Sequence, residues 1–243
     1  MSCYRLELYV SNSVRDTLTL LDLIRKDCYS TGMKVNREIV LDAGLKLLNE
    51  VGLEQLTLRR LANTLKIQAP TLYWHFKSKE ALIDAMATLV LAKGAPALVP
   101  SNSARDWKTW VNTFGMGLRQ TLLKYRDGAR VVAGSRLTDT IYMETAERIG
   151  SRLVEAGFSI RQAVVLLSTV YTFTISFVIE EQAVFPTEGK RSPAYDLQKR
   201  NAKLDPIKFP ILRQSGTILL DRFEQRYKDS LALIVGGASF PKL

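Results

Sequence analysis

The apolar residues constrain the fold most, because they repeat with the period of an α-helix along most of the chain. From residue 36 onward they recur at three- and four-residue steps, as in Val40, Ala43 and Leu47. No alternating apolar and polar pattern of useful length appears, so strands are not expected. The sequence therefore predicts an all-α fold.

Capping residues and helix breakers set the predicted helix ends. Gly52 closes the first helix, and Thr57, Ser78 and Ser159 are expected N-caps. The predicted helices cover about 36–51, 57–65, 69–75, 78–93, 105–125, 138–156, 160–181 and 216–235. Residues 186–210 hold four prolines and six basic residues against three acidic ones, and we expect a mobile surface loop there.

The chain is expected to divide into three parts. Its 243 residues suffice for one large domain or two modest ones. Met33 stands just before the helical pattern, so residues 1–32 are either an upstream, loose extension or a helical arm that docks on the body or on DNA. Two prolines within residues 94–103 suggest a junction, giving parts 33–94 and 95–243.

Composition excludes several classes of protein. Cys3, Cys28 and the single histidine, His75, cannot supply a disulfide framework, a CxxC zinc site or a histidine-based metal site. The sequence has no run of eighteen apolar residues, so it predicts no membrane span. Glu7 and Asp16 argue against a secretory signal. We expect a cytoplasmic protein that has no membrane partner and no cofactor.

An all-α enzyme or ligand carrier is the competing class. The sequence offers no nucleophile elbow, no phosphate-cradling glycine loop and no carboxylate pair with an evident role. Glu180 and Glu181 are adjacent on a helix, so their side chains point in different directions. We therefore expect that the protein is not an enzyme.

The positive net charge favours nucleic acid as a partner. The chain carries +10 at neutral pH, which suits a polyanion, although a basic surface without such a partner is the alternative. Most of the surplus lies in 97–243, with 21 basic and 14 acidic residues, against nine and six in 33–96. The overall charge is therefore a weaker argument than the placement of single residues.

The helices predicted at 57–65 and 69–75 form a candidate helix-turn-helix. A short second helix can enter the DNA major groove while the first crosses the backbone. Thr71, Tyr73 and His75 stand at steps of two, so they cannot all face the core of so short a helix. Alternatively, Tyr73 and Trp74 are core aromatic residues and His75 is an ordinary buried histidine.

Basic residues flank this motif on both sides. Lys77 and Lys79 follow the second helix at once, where they can neutralise phosphates. Arg59 and Arg60 stand in the first turn of the preceding helix, near its free N–H groups.

Long ungapped segments resemble the tetracycline repressor (TetR) family. The resemblance to its DNA-binding domain lies in LNEVGLEQLT at 48–57, Leu61-Ala62 and PTLYWHFKSK at 70–79. YRDGA at 125–129, GFS at 157–159 and VIEEQ at 178–182 resemble the regulatory domain of tetracycline-responsive members. The likeness covers about 36–185 and leaves residues 1–32 outside.

The resemblance implies roles for the helix-turn-helix residues. It places Gln68, Ala69, Thr71, Tyr73 and His75 against DNA, with Pro70 as an apolar contact, and it assigns phosphates to Lys79 and to Thr57 through Arg59. Leu72 and Trp74 are expected to pack inward. A base-reading glutamine of tetracycline-responsive members falls on Ala69, whose methyl can only pack against a thymine methyl, so a different operator is expected.

The resemblance also implies an effector pocket in the second part. Its lining would be Phe114, Leu118, Val132, Ser135, Arg136, Leu137, Leu167 and Tyr171, with Glu180 contributed by the partner subunit. Tetracycline-responsive members hold magnesium through a histidine at the position that Val132 occupies here. They also have an asparagine at the position of Phe114 and another histidine near the position of Ala95. These polar groups are missing here, so an apolar or aromatic effector is expected instead of magnesium–tetracycline. Alternatively, the apolar residues are plain core and Arg136 pairs with Asp139.

A homodimer that represses transcription is the function implied. The helices at 160–181 and 216–235 would form the subunit interface; the first is apolar on every side, although a single large core would also explain that. Two recognition helices would match a palindromic double-stranded operator, and a small-molecule effector would favour a conformer that no longer fits. The alternative within this class is a ligand-binding regulator that acts without specific DNA binding.

Overall fold

The computed structural model describes residues 36–100, 106–137 and 140–238. Residues 1–32 and Asp139, for which the sequence raised alternatives, lie outside these ranges. Val40–Leu243 forms one compact unit, and every tertiary contact given below lies within it. Within the described ranges the regular structure is helical, as predicted, apart from an isolated bridge between Thr187 and Lys190.

The described ranges contain eleven α-helices, among them two short ones, Gly128–Val132 and Leu197–Ala202, that were not predicted from the sequence. They are α1 (Arg37–Gln55), α2 (Leu58–Leu65), α3 (Ala69–His75), α4 (Lys79–Gly94), α5 (Trp107–Leu123), α6 (Gly128–Val132), α7 (Thr140–Glu155), α8 (Ile160–Val184), α9 (Leu197–Ala202), α10 (Pro210–Leu220) and α11 (Phe223–Gly236). Single 3₁₀ turns cover Ala95–Ala97 and Pro193–Tyr195.

The predicted caps are confirmed. The hydroxyl of Thr57 accepts the amide N–H of Arg60 at 3.1 Å, and that of Ser78 accepts the amide of Ala81 at 3.2 Å. Ser159 begins α8 as part of a capping box with Gln162. These side chains satisfy N–H groups that have no partner inside their own helix, which fixes where each helix begins.

The segment 186–210, predicted as a mobile loop, is instead folded and contains the second 3₁₀ turn and α9. Its arginines bond main-chain carbonyls: Arg191 donates to Leu220 O at 2.9 Å, and Arg200 donates to Leu212 O at 2.8 Å. Arg213 of α10 donates to the carbonyls of Asn201 and Leu204, both at 2.9 Å. The basic residues therefore join the short helices of this segment, which composition alone could not show.

The single last helix predicted at 216–235 is also wrong, because two helices occupy that region. Helix α10 ends at Leu220, and α11 begins at Phe223. The amide N–H groups of Asp221 and Arg222 both donate to the carbonyl of Thr217, which closes the first helix.

Helix α8 is the centre of the second half of the chain and packs against α5, α6, α7 and α11. By length and composition it could cross a membrane, since its most apolar 18-residue window has a mean hydropathy of 1.8. Its contacts with four neighbouring helices favour a core helix. Only 39% of that window is buried within the chain, however, so one face of α8 remains uncovered.

Candidate DNA-binding and effector sites

Helices α2 and α3 form a compact helix-turn-helix. Lys66, with φ of 53°, ends α2 in the left-handed conformation, and the amide of Ile67 donates to Ala62 O at 3.0 Å. Leu61 and Leu72 are fully buried beneath the two helices. The apolar underside fixes the angle between them and leaves the opposite face of α3 to solvent.

The outer face of α3 carries most of the predicted DNA-contacting residues. Gln68, Pro70 and Thr71 are exposed, and 49% of Tyr73 is accessible. Ala69 and His75 are half-buried at the two ends of the helix. The structure therefore exposes Gln68, Pro70, Thr71 and Tyr73, and it contradicts the alternative that Tyr73 belongs to the core.

Trp74 corrects the prediction that it packs inward, because 81% of it is exposed. Leu72, predicted inward together with it, is indeed fully buried. Residues that are two positions apart in an α-helix differ by about 200° around its axis. A helix that buries Leu72 must therefore turn Trp74 outward. The ammonium of Lys77 lies 5.7 Å from the centre of the Trp74 ring, which favours a cation–π contact. Sequence reasoning missed Trp74 as a member of this surface.

The flanking cations differ in whether they already donate hydrogen bonds to main-chain oxygens of the protein. Arg59 and Lys77 are exposed. Arg60 donates to the main-chain oxygen of Gln55 at 3.2 Å, and the ammonium of Lys79 donates to Leu53 O at 3.1 Å. Because an ammonium has three donors, Lys79 keeps further hydrogen atoms for an anion.

The corner between α5 and α6, residues 124–127, forms hydrogen bonds with the end of α1. The sequence did not reveal this connection. The amide of Leu53 donates to the carboxylate of Asp127 at 2.8 Å. The amide of Arg126 donates to the side-chain oxygen of Asn49 at 2.8 Å, and its guanidinium donates to Glu50 O at 3.0 Å. The end of α1 and the corner between α5 and α6 are therefore fastened by several polar contacts.

Gly52 is required at this corner by both conformation and space. Its φ of 77° lies in the region that favours glycine, and a Cβ there would come within 3.0 Å of Arg126 Nε and Asp127 Oδ2. Nearby, Glu54 pairs with Arg130 and raises the pKa of that guanidinium. From the sequence, Gly52 was expected only to close a helix, and Asp127 entered only as a helix breaker and through the family resemblance, so their role in this contact was missed.

The predicted effector residues divide into a buried set and an outer set. Phe114, Leu118 and Val132 are buried on α5 and α6, and Leu137, Leu167 and Tyr171 are half-buried. The Tyr171 ring lies 6.5 Å from that of Tyr142, and burial raises the pKa of Tyr171 to about 12. A tyrosine hydroxyl is protonated at neutral pH even without this shift, so it can donate a hydrogen bond.

The polar residues assigned to the pocket lie outside the buried group of apolar residues. Arg136 is exposed and its main-chain amide donates to Asp84 at 3.0 Å, while the hydroxyl of Ser135 donates to Val131 O at 2.6 Å. Glu180 is exposed on α8, and its carboxylate lies 3.7 Å from the guanidinium of Arg226. The structure of one subunit does not bring Arg136 or Glu180 into the buried group.

The buried residues do not suit a magnesium ion. Magnesium prefers oxygen ligands, whereas Val132 and Phe114 present only hydrocarbon at the positions where the family resemblance implies polar groups. In the parts of the chain that the structure describes, no group of three or more His, Cys, Asp or Glu side chains could hold a metal ion.

Large apolar side chains are exposed on α8 and α11. They include Ile160, which is 74% exposed, Leu233, which is 78% exposed, and also Val164 and Val165. Single exposed apolar side chains are common, but several of them on one surface are typical of an interaction site. The uncovered face of α8 is therefore a candidate interface.

Comparison with known proteins gives the family. The family model described as bacterial regulatory proteins, tetR family, matches residues 40–86, and the tetracyclin repressor-like C-terminal domain matches residues 99–239. A curated relative is the tetracycline repressor protein class A from transposon 1721 of Escherichia coli. It is 39% identical over 215 residues, which cover 86% of this chain and 93% of the relative.

Solved structures agree with these matches. A possible TetR family transcriptional regulator from Streptomyces coelicolor A3(2) superposes with a TM-score of 0.74 at 33% identity, covering 83% of this chain and 98% of its own. TetR class A in complex with 5a,6-anhydrotetracycline and magnesium gives a TM-score of 0.61 at 35% identity, covering 85% and 98%. The chain therefore belongs to the tetR family of bacterial regulatory proteins.

Proposed function

We propose that this chain is a cytoplasmic repressor that binds a palindromic operator as a homodimer and is released from it by a small apolar or aromatic effector. The observation that carries the proposal is the outer face of α3, where exposed Thr71, Tyr73 and Trp74 lie above a buried underside. Residues 33–94 would form the DNA-binding domain, and residues 95–243 would bind the effector and form the dimer.

The exposed side chains of α3 suit the reading of base edges in the major groove. Thr71 and Gln68 can exchange hydrogen bonds with bases, and Tyr73 and Trp74 can contact thymine methyl groups or sugars. Arg59, Arg60, Lys77 and Lys79 would neutralise phosphates on either side. Ala69 would replace a polar base contact by an apolar one, which supports an operator distinct from that of tetracycline-responsive relatives.

The effector pocket is proposed among the buried side chains of α5, α6 and α8. Phe114, Leu118 and Val132 would supply an apolar lining, and the Tyr171 hydroxyl would supply a hydrogen-bond donor. Helix α6 begins next to Asp127, which holds Leu53, and ends at Val132. A ligand that moves α6 would therefore strain the contact with α1 and change the spacing of the recognition helices, provided that it binds the two conformers unequally.

Operator binding by a dimer is tested with DNA from the region upstream of the chain's own coding sequence. In fluorescence anisotropy, the protein should bind a fragment of this region saturably and in preference to unrelated DNA. Leu233→Glu places a charge on the exposed face of α11, so sedimentation should show monomers and operator affinity should fall by about tenfold or more.

Lys228→Glu on the same helix is the matched control, because its side chain is already polar and exposed. Its sedimentation and its affinity should match the unchanged protein. A Leu233→Glu variant that stays dimeric would contradict the proposed interface, and the absence of specific DNA binding in the unchanged protein would contradict the function itself.

Magnesium should have little influence on effector binding. With 5a,6-anhydrotetracycline as the probe, we expect the dissociation constant to change by less than about twofold between buffer with magnesium and buffer with a chelator. The reason is that Val132 and Phe114 offer no ligand atoms to the cation. Calorimetry or drug fluorescence measures this, and an affinity that collapses on chelation would contradict the apolar pocket.

A further inference from the structure

A cleft opens beside the corner that joins α1 to the regulatory helices. It has a volume of about 680 Å³ and is open to solvent along one side. Its lining includes Asn49 of α1, Gln120 and Lys124 at the end of α5, and Phe185 with the turn after α8. None of Phe114, Leu118, Val132 or Tyr171 lines it, so it is separate from the proposed effector pocket.

The cationic groups of the cleft are available to an anion. Lys124 is exposed, and neither it nor Arg126 takes part in an ion pair with another described residue. Arg126 uses one guanidinium nitrogen for Glu50 O, which leaves further donors. Of the two carboxylates that line the cleft, Glu181 is neutralised by Arg119 at 2.9 Å, and Glu188 lies exposed on the outer turn.

The remaining surface of the cleft suits a flat, partly apolar molecule. Tyr125 and Phe185 are half-buried and supply aromatic surface, and the amide of Gln120 adds a polar group. The volume lies within the range of small-molecule sites. An aromatic ring with a carboxylate or sulfonate would contact both the aromatic side chains and the two cations.

The position of the cleft would link its occupancy to DNA binding. Asn49 belongs to the helix that leads into the helix-turn-helix, whereas Lys124 and Arg126 belong to the α5–α6 corner. The bonds from Arg126 to Asn49 and to Glu50 join these two parts. A molecule that contacts both α1 and the α5–α6 corner favours the conformer in which the distance between them fits the molecule. If this conformer moves the corner, its affinity for the operator differs as well.

We propose that this cleft is a second small-molecule site for planar aromatic anions, and that its occupancy changes operator affinity independently of the main effector pocket. The linkage rests on the proposed function, whereas binding of the anion to the cleft does not. Such a site would let two different compounds act on one repressor.

The probe for the site is 1-anilinonaphthalene-8-sulfonate, titrated into the full chain in a calorimeter without DNA. Lys124→Glu reverses a charge in the cleft, and we expect the probe to bind this site at least tenfold more weakly. Gln120→Trp fills the cleft from an exposed position and should remove the same site. Lys199→Glu is the matched charge reversal on α9, outside the cleft, and should bind the probe as the unchanged protein does.

Further measurements locate the probe and test the linkage. A crystal structure of the complex should place the sulfonate near Lys124 and the rings near Tyr125. Saturating probe should change operator affinity at least threefold in the unchanged protein and not in Lys124→Glu.

Different failures have different meanings. Equal probe binding by Lys124→Glu and Lys199→Glu, or probe found only in other pockets, would overturn the site. Binding in the cleft with unchanged operator affinity would overturn the linkage. If the protein binds no DNA at all, the proposed repressor function fails, while the comparison of variants still decides the site.

Discussion

Replacing Tyr73 and Trp74 together by alanine is expected to weaken operator binding by about 100-fold or more. Both side chains stand on the exposed face of α3, and truncating a Tyr or Trp anchor of an interface to alanine often costs about 2 kcal/mol or more. Neither residue belongs to the core, so thermal unfolding of the variant should match that of the unchanged protein. Fluorescence anisotropy at fixed salt concentration measures the loss, because affinity for DNA depends strongly on ionic strength.

Two further variants give this result its meaning. Leu72→Ala, one residue before the pair, removes a fully buried side chain and should lower stability by about 2–5 kcal/mol. Gln198→Ala on α9 alters an exposed residue outside the motif and should change neither quantity. If the Tyr73 and Trp74 double variant loses stability as Leu72→Ala does, or keeps its operator affinity, α3 is not the recognition helix.

Local signals explain why the sequence predicts most of the helices correctly. An N-cap such as Thr57 or Ser159 acts within three residues of itself, and the apolar period of α1 needs no distant partner. The same signals fail when a helix end depends on contacts far along the chain. The segment 186–210 is ordered by Arg191 and Arg200 reaching carbonyls at residues 220 and 212, and spacing along the sequence does not show this.

Side-chain direction on α3 was predictable in principle. Burial of Leu72 determines the exposure of Trp74 through helical geometry alone, so the inward prediction for Trp74 neglected a constraint already present in the sequence. The contact between Leu53 and Asp127 is different, because 74 residues separate the partners. No periodicity connects them, and only the folded chain brings them together.

The excess of basic residues is partly explained by structure instead of by DNA. Arg191, Arg200 and Arg213 satisfy main-chain carbonyls around α9 and α10. Arg119 neutralises a buried carboxylate. These four arginines therefore stabilise the regulatory helices, and the exposed cations around α3 carry the argument for DNA.

The buried pair of Arg119 and Glu181 provides the second large expected effect. The guanidinium of α5 donates to both carboxylate oxygens of α8, at 2.9 Å and 2.5 Å, and both side chains are about nine-tenths buried. Arg119 also stacks over the Tyr227 ring at 5.5 Å, which joins α11 to the pair. Arg119→Met should lower the free energy of unfolding by about 3–5 kcal/mol, since it leaves an unpaired charge in the core.

A double variant distinguishes two effects: the loss of the ion pair itself and the cost of the unpaired charge that a single substitution leaves in the core. Arg119→Met with Glu181→Met removes both charges, and most of the lost stability should return, because apolar side chains of similar volume often replace a buried ion pair without penalty. Lys228→Met breaks the exposed pair with Glu224 and should leave the urea midpoint unchanged.

All these variants are compared at one subunit concentration, since association would itself shift the apparent stability. If Arg119→Met unfolds at the same urea concentration as Lys228→Met, the buried pair does not hold α5 to α8. If the double variant is no more stable than Arg119→Met alone, the loss comes from the missing contact with Tyr227 and not from an unpaired carboxylate.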